Sequence, residues 1–281
     1  MSHVIVYPTF RCGLGCPYCW WKVQPDGLSM LYAGGSLYKV ERELPWRDMF
    51  TLLRSFGDRT VFEFTGGEPL KYEGIQSLLN NLPIWAMTSN TTNSIDGINL
   101  RKCFSWTASY HPHVSDKAKE KFMENIERIR AYGVHTAITM VATPQNVEHV
   151  VEKTKEFKKM GYAVNIHPYY DDPNFDWEKF PEAKKMLLEN EFLRYGERFF
   201  HYGSIHGCNN CHGGLDYFVV APDGRTYRCV TEMTYGGEAI TKPSYEVYKC
   251  KRECLVPCDW HFGIREGYDE IYAVNAGKDK E

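Results

Sequence analysis

The chain has 281 residues, 43% hydrophobic and 25% charged, with a formal net charge of −3. That length allows one large domain, or a large and a small one, with apolar residues enough for a sizeable core. Charges of both signs are interspersed, so nothing favours nucleic acid or an anionic membrane, and no run approaches the ~18 apolar residues of a membrane span. The opening "MSHVIVYPTF" has no basic n-region and is too short for a signal peptide, so we expect a cytoplasmic protein. There, ten cysteines point to metal or catalysis rather than disulfides.

Taken in chain order, HVIVYPTF (3–10) reads as a strand that runs into a cysteine-bearing loop. WRDMFTLLRSF (46–56) has helical spacing, TVFEFTG (60–66) reads as a buried strand, and YEGIQSLLNNL (72–82) as a helix. A strand at 84–90, a short helix at 94–103 and a strand at 104–111 follow. SDKAKEKFMENIERIRAYG (115–133) starts at a capping serine and stops at a glycine, as a helix does. Strand 135–142, helix 146–161, strand 162–170 and helix 181–200 complete six strand–helix units. Such an order predicts an α/β fold, a partial (β/α)6 barrel of TIM type, with every strand-to-helix loop on one face. Near residue 203 the pattern breaks, and YFVVAPDGRTYRC (217–229) predicts a hairpin with a Pro-Asp-Gly turn. We therefore expect a barrel domain over 1–203 and a small cysteine-rich domain over 204–281.

The cysteines fall in two groups. Cys12, Cys16 and Cys19 occupy RCGLGCPYCWW (11–21), a C-x3-C-x2-C pattern in the first strand-to-helix loop. Three thiolates would hold three irons of a cubane cluster and leave the fourth iron open for chemistry, whereas a structural zinc site closes with four ligands. Cys208, Cys211, Cys229, Cys250, Cys254 and Cys258 form the second group, and Cys103 stands alone before a strand, as a buried structural thiol would. Other distinctive residues sit at strand ends. FEFTGGEPL (62–70) carries Gly66 and Gly67, which allow a close approach to the backbone, and Glu68, a carboxylate that could accept an amino group. MTSNTT (87–92) offers small hydroxyl and amide groups, among them Ser89 and Asn90. His111, His167, Tyr169 and Asp171 end two later strands and are candidates for general acid–base work or for anchoring a substrate.

The cysteine pattern with an aromatic before its last member, followed by GGEP and then TSN, resembles the radical S-adenosylmethionine superfamily over roughly residues 3–200. The resemblance implies a [4Fe–4S] cluster on Cys12, Cys16 and Cys19, whose open iron chelates S-adenosylmethionine. Reductive cleavage would then give a 5′-deoxyadenosyl radical that takes hydrogen from a substrate. It places Tyr18 near adenine and Gly66, Gly67 and Glu68 near the methionyl amino group. Ser89 and Asn90 fall near ribose, and Ser109 near ribose or carboxylate. The basic carboxylate partner many relatives carry on the fifth strand is missing from AITMVATPQN.

Cys211-x12-Gly224-x4-Cys229 is similar to part of the SPASM and twitch auxiliary-cluster domains. This implies one auxiliary [4Fe–4S] cluster on Cys208, Cys211, Cys229 and one of Cys250, Cys254 and Cys258. Two auxiliary clusters, or a zinc ribbon, are the alternatives. The chain starts at its first strand, so we expect neither a leader-peptide-binding extension nor a cobalamin region. The expected activity is oxidation, cyclisation or rearrangement of a small molecule, with an electron donor of flavodoxin or ferredoxin type. A carbon–carbon or thioether cross-link in a ribosomal peptide, and a non-catalytic iron–sulfur electron carrier, are the other readings.

Overall fold

A computed structural model describes residues 2–19, 21–32, 35, 37–168, 176–188, 205–211, 213–241 and 248–254, with 205–211 and 248–254 described as backbone. β1 (Ser2–Val6) is buried along its last four residues, as a strand covered on both faces must be. After the cysteine loop come β2 (Trp21–Val23), β3 (Ser29–Tyr32) and β4 (Leu37–Lys39), a small antiparallel sheet. Nothing in the pattern predicts it, because strands of three and four residues carry too little alternation to read. Its turn was legible: Asp26 accepts from the Leu28 and Ser29 N–H groups and Gly27 sits at φ 64°, the same Pro-Asp-Gly chemistry recognised at 222–224.

The predicted alternation then appears as α1 (Trp46–Arg54), β5 (Thr60–Phe64), α2 (Ile75–Asn81), β6 (Trp85–Ser89) and β7 (Cys103–Ser109). It continues through α3 (Asp116–Ala131), β8 (His135–Ala142), α4 (Val147–Lys159), β9 (Ala163–Pro168) and α5 (Pro181–Leu188). The helix expected at 94–103 is a loop ending in one 3-10 turn, Leu100–Lys102. Gly97 at φ 73° breaks the helical path, and the Asn99 side chain accepts from Arg101 N. The expected helix 181–200 is seen to Leu188; its remainder lies outside the described residues.

Four strands and one helix follow: β10 (Ile205–Cys211), β11 (Tyr217–Val220), β12 (Thr226–Tyr227), α6 (Val230–Thr234) and β13 (Tyr248–Cys254). The main sheet has eight strands in the order β12-β11-β1-β5-β6-β7-β8-β9, all parallel to their neighbours except β12. Helices connect the consecutive parallel strands except β6 and β7, which are joined by the loop and its 3-10 turn. The expected boundary near 203 does not divide this sheet. β11 pairs with the free edge of β1, and the hairpin assigned to a second domain extends the barrel. Every residue of β11 is buried, which its place beside β1 explains. β10 and β13 form a separate antiparallel pair.

Period-two alternation sorts the sheet into two faces. Val4, Val6, Phe62, Phe64, Trp85, Met87, Ile138 and Met140 share one core with Leu53 of α1, Leu78 of α2, Phe122 of α3 and Phe157 of α4. Ile5, Tyr7, Tyr217 and Val219 face the other way, into a smaller core with Met30, Tyr38 and Met233. On the helix side, α3 buries Phe122, Asn125, Ile126 and Ile129, the i, i+3, i+4, i+7 stripe, and Ser115 caps its N-terminus through Ala118 N.

Asn125 serves the strand ends. Its amide donates to the carbonyls of Thr91 and Asn93, 2.8 Å each, and so holds the loop after β6. Thr91 in that loop is fully buried and adopts φ 59°, a left-handed conformation unusual for a β-branched residue. Four hydrogen bonds fix it: its N–H reaches Ser89 Oγ, its hydroxyl reaches Ser89 O, and it accepts from Trp106 Nε1 at 3.0 Å and from Asn125. Thr91→Val keeps the shape but removes the hydroxyl and orphans the buried Trp106 N–H. It should lower unfolding free energy by about 1–3 kcal/mol. Urea denaturation of both proteins measures the difference, and an unchanged midpoint would refute this account of the loop.

Candidate functional site

The cysteine loop lies at the C-terminal ends of the parallel strands and is held there by the end of β5. Gly67 N donates to Thr9 O at 3.2 Å and Glu68 N to Arg11 O at 2.8 Å. A Cβ at Gly67 would lie 2.2 Å from Phe10 O, and one at Gly66 2.9 Å from Thr9 O. The paired glycines thus admit the chain's own cysteine-loop backbone. Glu43 adds a second tie by accepting from Thr9 Oγ1 and from the Arg11 guanidinium.

Within the loop, Cys19 N donates to Cys16 O at 3.1 Å, and Cys12, Cys16 and Cys19 are half-buried thiols. All three line one cavity of about 850 Å³, together with Arg11, Lys22 and Lys71. Burial raises the pKa of each thiol; Cys16, with Cys19 and Cys12 beside it, is pushed up to about 12. Three clustered thiolates therefore need a cation among them to form. The donor set fits an iron–sulfur cluster, and the sulfur-rich cavity leaves room for more than three ligands supply.

Glu68 is fixed by its neighbours. The side chain is 0% exposed, and its carboxylate is turned onto the protein. One oxygen accepts from Leu70 N at 3.0 Å and Ser89 Oγ at 2.8 Å; the other accepts from Asn90 N at 2.8 Å. Burial raises its pKa, opposed by these three bonds. Glu68 braces the ends of β5 and β6. Ser89 is likewise buried and bonded within the loop.

Asn90, Ser109 and His111 do come together, lining one cleft with Thr92 and Tyr110. His111 also reaches the cysteines: its Nδ1 is 3.4 Å from Cys16 Sγ and 3.1 Å from Tyr18 Oη. Tyr18 Oη lies 3.2 Å from Nδ1 of His113, a residue the sequence reading passed over although it stands in the same HPH run. Burial lowers His111 to about 4. His167 sits near the end of β9, in register with Val141, and burial lowers it to about 4 as well. Tyr169 and Asp171 lie outside the described residues.

Strand alternation exposes two further candidates. Ser109, Thr139 and Asn165 are Cα partners across β7, β8 and β9, on the face opposite the core residues Ala108, Ile138 and Val164. Thr139 Oγ1 and Asn165 Oδ1 are buried there without a hydrogen-bond partner among the described residues. Such orphaned acceptors inside a barrel suit a bound ligand's donors. Alternation alone could have found them, once Ser109 was assigned to the inner face.

In the second cysteine group, Cys208 and Cys250 are direct cross-strand partners in the β10–β13 pair, while Cys254 faces Ile205. Cys229 caps α6, its sulfur accepting from Glu232 N at 3.4 Å. Cys258 lies outside the described residues. Cys103 is buried at the start of β7, the far edge of the sheet from the site.

Two measurements check this geometry. In Glu68→Gln, whichever way the amide turns, Leu70 N–H or Asn90 N–H loses its acceptor, so stability without any ligand should fall by about 1–3 kcal/mol. A residue that only touched a ligand would leave it unchanged. The second concerns pH. With His167 near 4 in the fold and ~6.5 unfolded, the unfolded chain binds more protons between those values. Stability should therefore fall as pH drops from ~6.5 through about 4, and His167→Asn should lose less over the same interval. Equal losses in urea titrations at the two ends of that range would sink the assignment.

No protein-family model matches the sequence, and no curated protein does. Solved structures do. SuiB of Streptococcus suis bound to S-adenosylmethionine aligns with TM-score 0.56 and 15% identity over 85% of this chain and 62% of SuiB. SuiB bound to its precursor peptide SuiA aligns with TM-score 0.58. Native anSMEcpe with bound AdoMet aligns with TM-score 0.54 and 20% identity over 81% of this chain and 74% of that one. The chain thus spans about 62% of the length of SuiB. Parallel sheet, strand-end cysteine loop and these alignments agree: the chain has the fold of the radical S-adenosylmethionine family.

Proposed function

We propose that the protein is a radical S-adenosylmethionine enzyme. The observation that carries this is the convergence of Cys12, Cys16 and Cys19 on one cavity at the strand ends, in a fold shared with structures that hold S-adenosylmethionine. When bound, a [4Fe–4S] cluster on these thiolates supplies the electron that cleaves S-adenosylmethionine to a 5′-deoxyadenosyl radical. The chain's own part is to hold and aim. Gly66, Gly67 and Glu68 fix the cysteine loop against β5, and Asn90 and Ser109 offer polar groups to ribose. Tyr18 offers a ring beside adenine, and Thr139 and Asn165 offer acceptors deeper in the barrel. Lys71, which lines the cysteine cavity, is a basic group available to the carboxylate in place of the missing strand-five residue.

For the second cysteine group we propose one auxiliary [4Fe–4S] cluster on Cys208, Cys211, Cys229 and Cys250. The cross-strand pairing of Cys208 with Cys250 supports Cys250 as the fourth ligand over Cys254 or Cys258. For the substrate, a peptide is favoured over the small molecule first expected, because SuiB and anSMEcpe were both solved with peptides bound. A flavodoxin- or ferredoxin-type protein would supply electrons. Among the described residues no helix is long and apolar enough to cross a membrane.

Anaerobic reconstitution tests both cluster assignments. The protein should carry about eight irons, and the triple variant Cys12→Ala, Cys16→Ala, Cys19→Ala about four, with no 5′-deoxyadenosine formed. A zinc ribbon would instead leave the triple variant colourless with one zinc. Reductive cleavage surviving in that variant would end the proposal.

A further inference from the structure

We propose that His111 is a positioning residue for the three-cysteine cluster: its Nδ1–H donates a hydrogen bond to the Cys16 thiolate, and Tyr18 and His113 hold it in the tautomer that can. The inference rests on the cluster reading above. It follows from the polarity of four consecutive contacts.

His113 Nε2 lies 3.4 Å from the carbonyl oxygen of Leu14. A carbonyl only accepts, so Nε2 carries the hydrogen, and Nδ1 of the neutral ring is an acceptor. Tyr18 Oη, 3.2 Å from that Nδ1, must then donate its one proton to His113. With its proton committed, Tyr18 Oη can only accept from His111 Nδ1 at 3.1 Å, so His111 carries its hydrogen on Nδ1. That single Nδ1–H is shared in a three-centre bond, between Tyr18 Oη at 3.1 Å and Cys16 Sγ at 3.4 Å. A metal-bound thiolate has no proton of its own and can only accept, so both ends of the contact agree.

The arrangement is closed on itself. It begins at Leu14 and ends at Cys16, both in the cysteine loop, while the two histidines belong to the segment after β7. The His111 and Tyr18 rings stack at 19° with centroids 6.0 Å apart, which fixes the plane of the imidazole. A hydrogen bond to a cluster sulfur stabilises the more negative, reduced state and raises the reduction potential. A charge-assisted bond of this kind is worth about a tenfold change in the reduced-to-oxidised ratio, or 59 mV for a one-electron couple.

The test is a redox titration of the reconstituted protein followed by electron paramagnetic resonance. The relevant signal is the one lost in the Cys12→Ala, Cys16→Ala, Cys19→Ala variant. His111→Leu should lower the reduced fraction about tenfold at fixed potential. His111→Asn, which keeps an N–H near the position of Nδ1–H, should recover most of it. His113→Ala alters an exposed residue, so folding is spared. It frees the Tyr18 proton to turn towards His111 Nδ1, and should shift the potential in the same direction by a smaller factor. An unchanged potential in both His111→Leu and His113→Ala, with the cluster fully loaded, would overturn the inference while leaving the cluster reading intact. So would His111→Asn falling as far as His111→Leu. If the triple alanine variant loses no signal, the cluster reading itself fails and this inference falls with it.

Discussion

The site depends on one close approach, that of the backbone at Gly66, Gly67 and Glu68 to the backbone at Thr9, Phe10 and Arg11. No side chain fits between them; even a methyl group at position 67 would lie inside the contact distance of a carbonyl. The cysteine loop has no regular secondary structure of its own to fix it. It takes its conformation from the end of the neighbouring strand, through hydrogen bonds that only glycine-lined backbone permits.

From that contact the constraint passes along the row of strand ends. Glu68 carries it from β5 to β6 through Ser89 and Asn90 N. Thr91 carries it from β6 to β7 through Trp106, and to α3 through Asn125. Each link is a buried polar group whose partners are all protein. A buried hydrogen-bonded network of this sort resists displacement, because moving a member leaves a donor or acceptor without a partner in a medium that cannot replace it. Rigidity here has a use. The proposed radical chemistry would need a pocket whose walls do not move, and the strained left-handed Thr91 shows how firmly this loop is held.

Polarity is divided between the faces of the sheet in the same sense. The outer face is apolar and packs on the helices, with Trp85 and Trp106 in edge-to-face contact at 6.4 Å. The inner face carries Glu63, Thr88, Ser109, Thr139 and Asn165, and Glu63 is shared by His3 and Thr88. Above it the three thiols sit in a partly buried cavity that resists their ionisation, edged by Lys22 and Lys71. Metal charge, with these ammonium groups nearby, is what makes a cluster of thiolates stable in such a place.

Much of this was legible in the amino-acid order. Five of the six strand–helix units could be read because buried strands and amphipathic helices have distinct periods, and 135–142 matches β8 residue for residue; the remaining one, with its helix at 94–103, is a loop there. The three-cysteine motif could be read as a candidate metal site, because metal preference is set by ligand type and number. Other features depend on contacts between residues far apart in the chain. Pairing of β11 with β1 joins residues more than two hundred positions apart, and the pattern of YFVV says only that it is buried. The inward turn of Glu68 is decided by three donors, two of them from the next strand's end, and a carboxylate beside two glycines looks the same in sequence whether it faces ligand or protein. His113 joins the site because Tyr18 and Leu14 lie beside it in space, ninety-odd residues away in sequence. Periodicity and motif spacing are local properties, so the sequence alone determined the strand–helix order and the three-thiol motif; which polar groups meet is a property of the packed chain, and only the tertiary structure decided it.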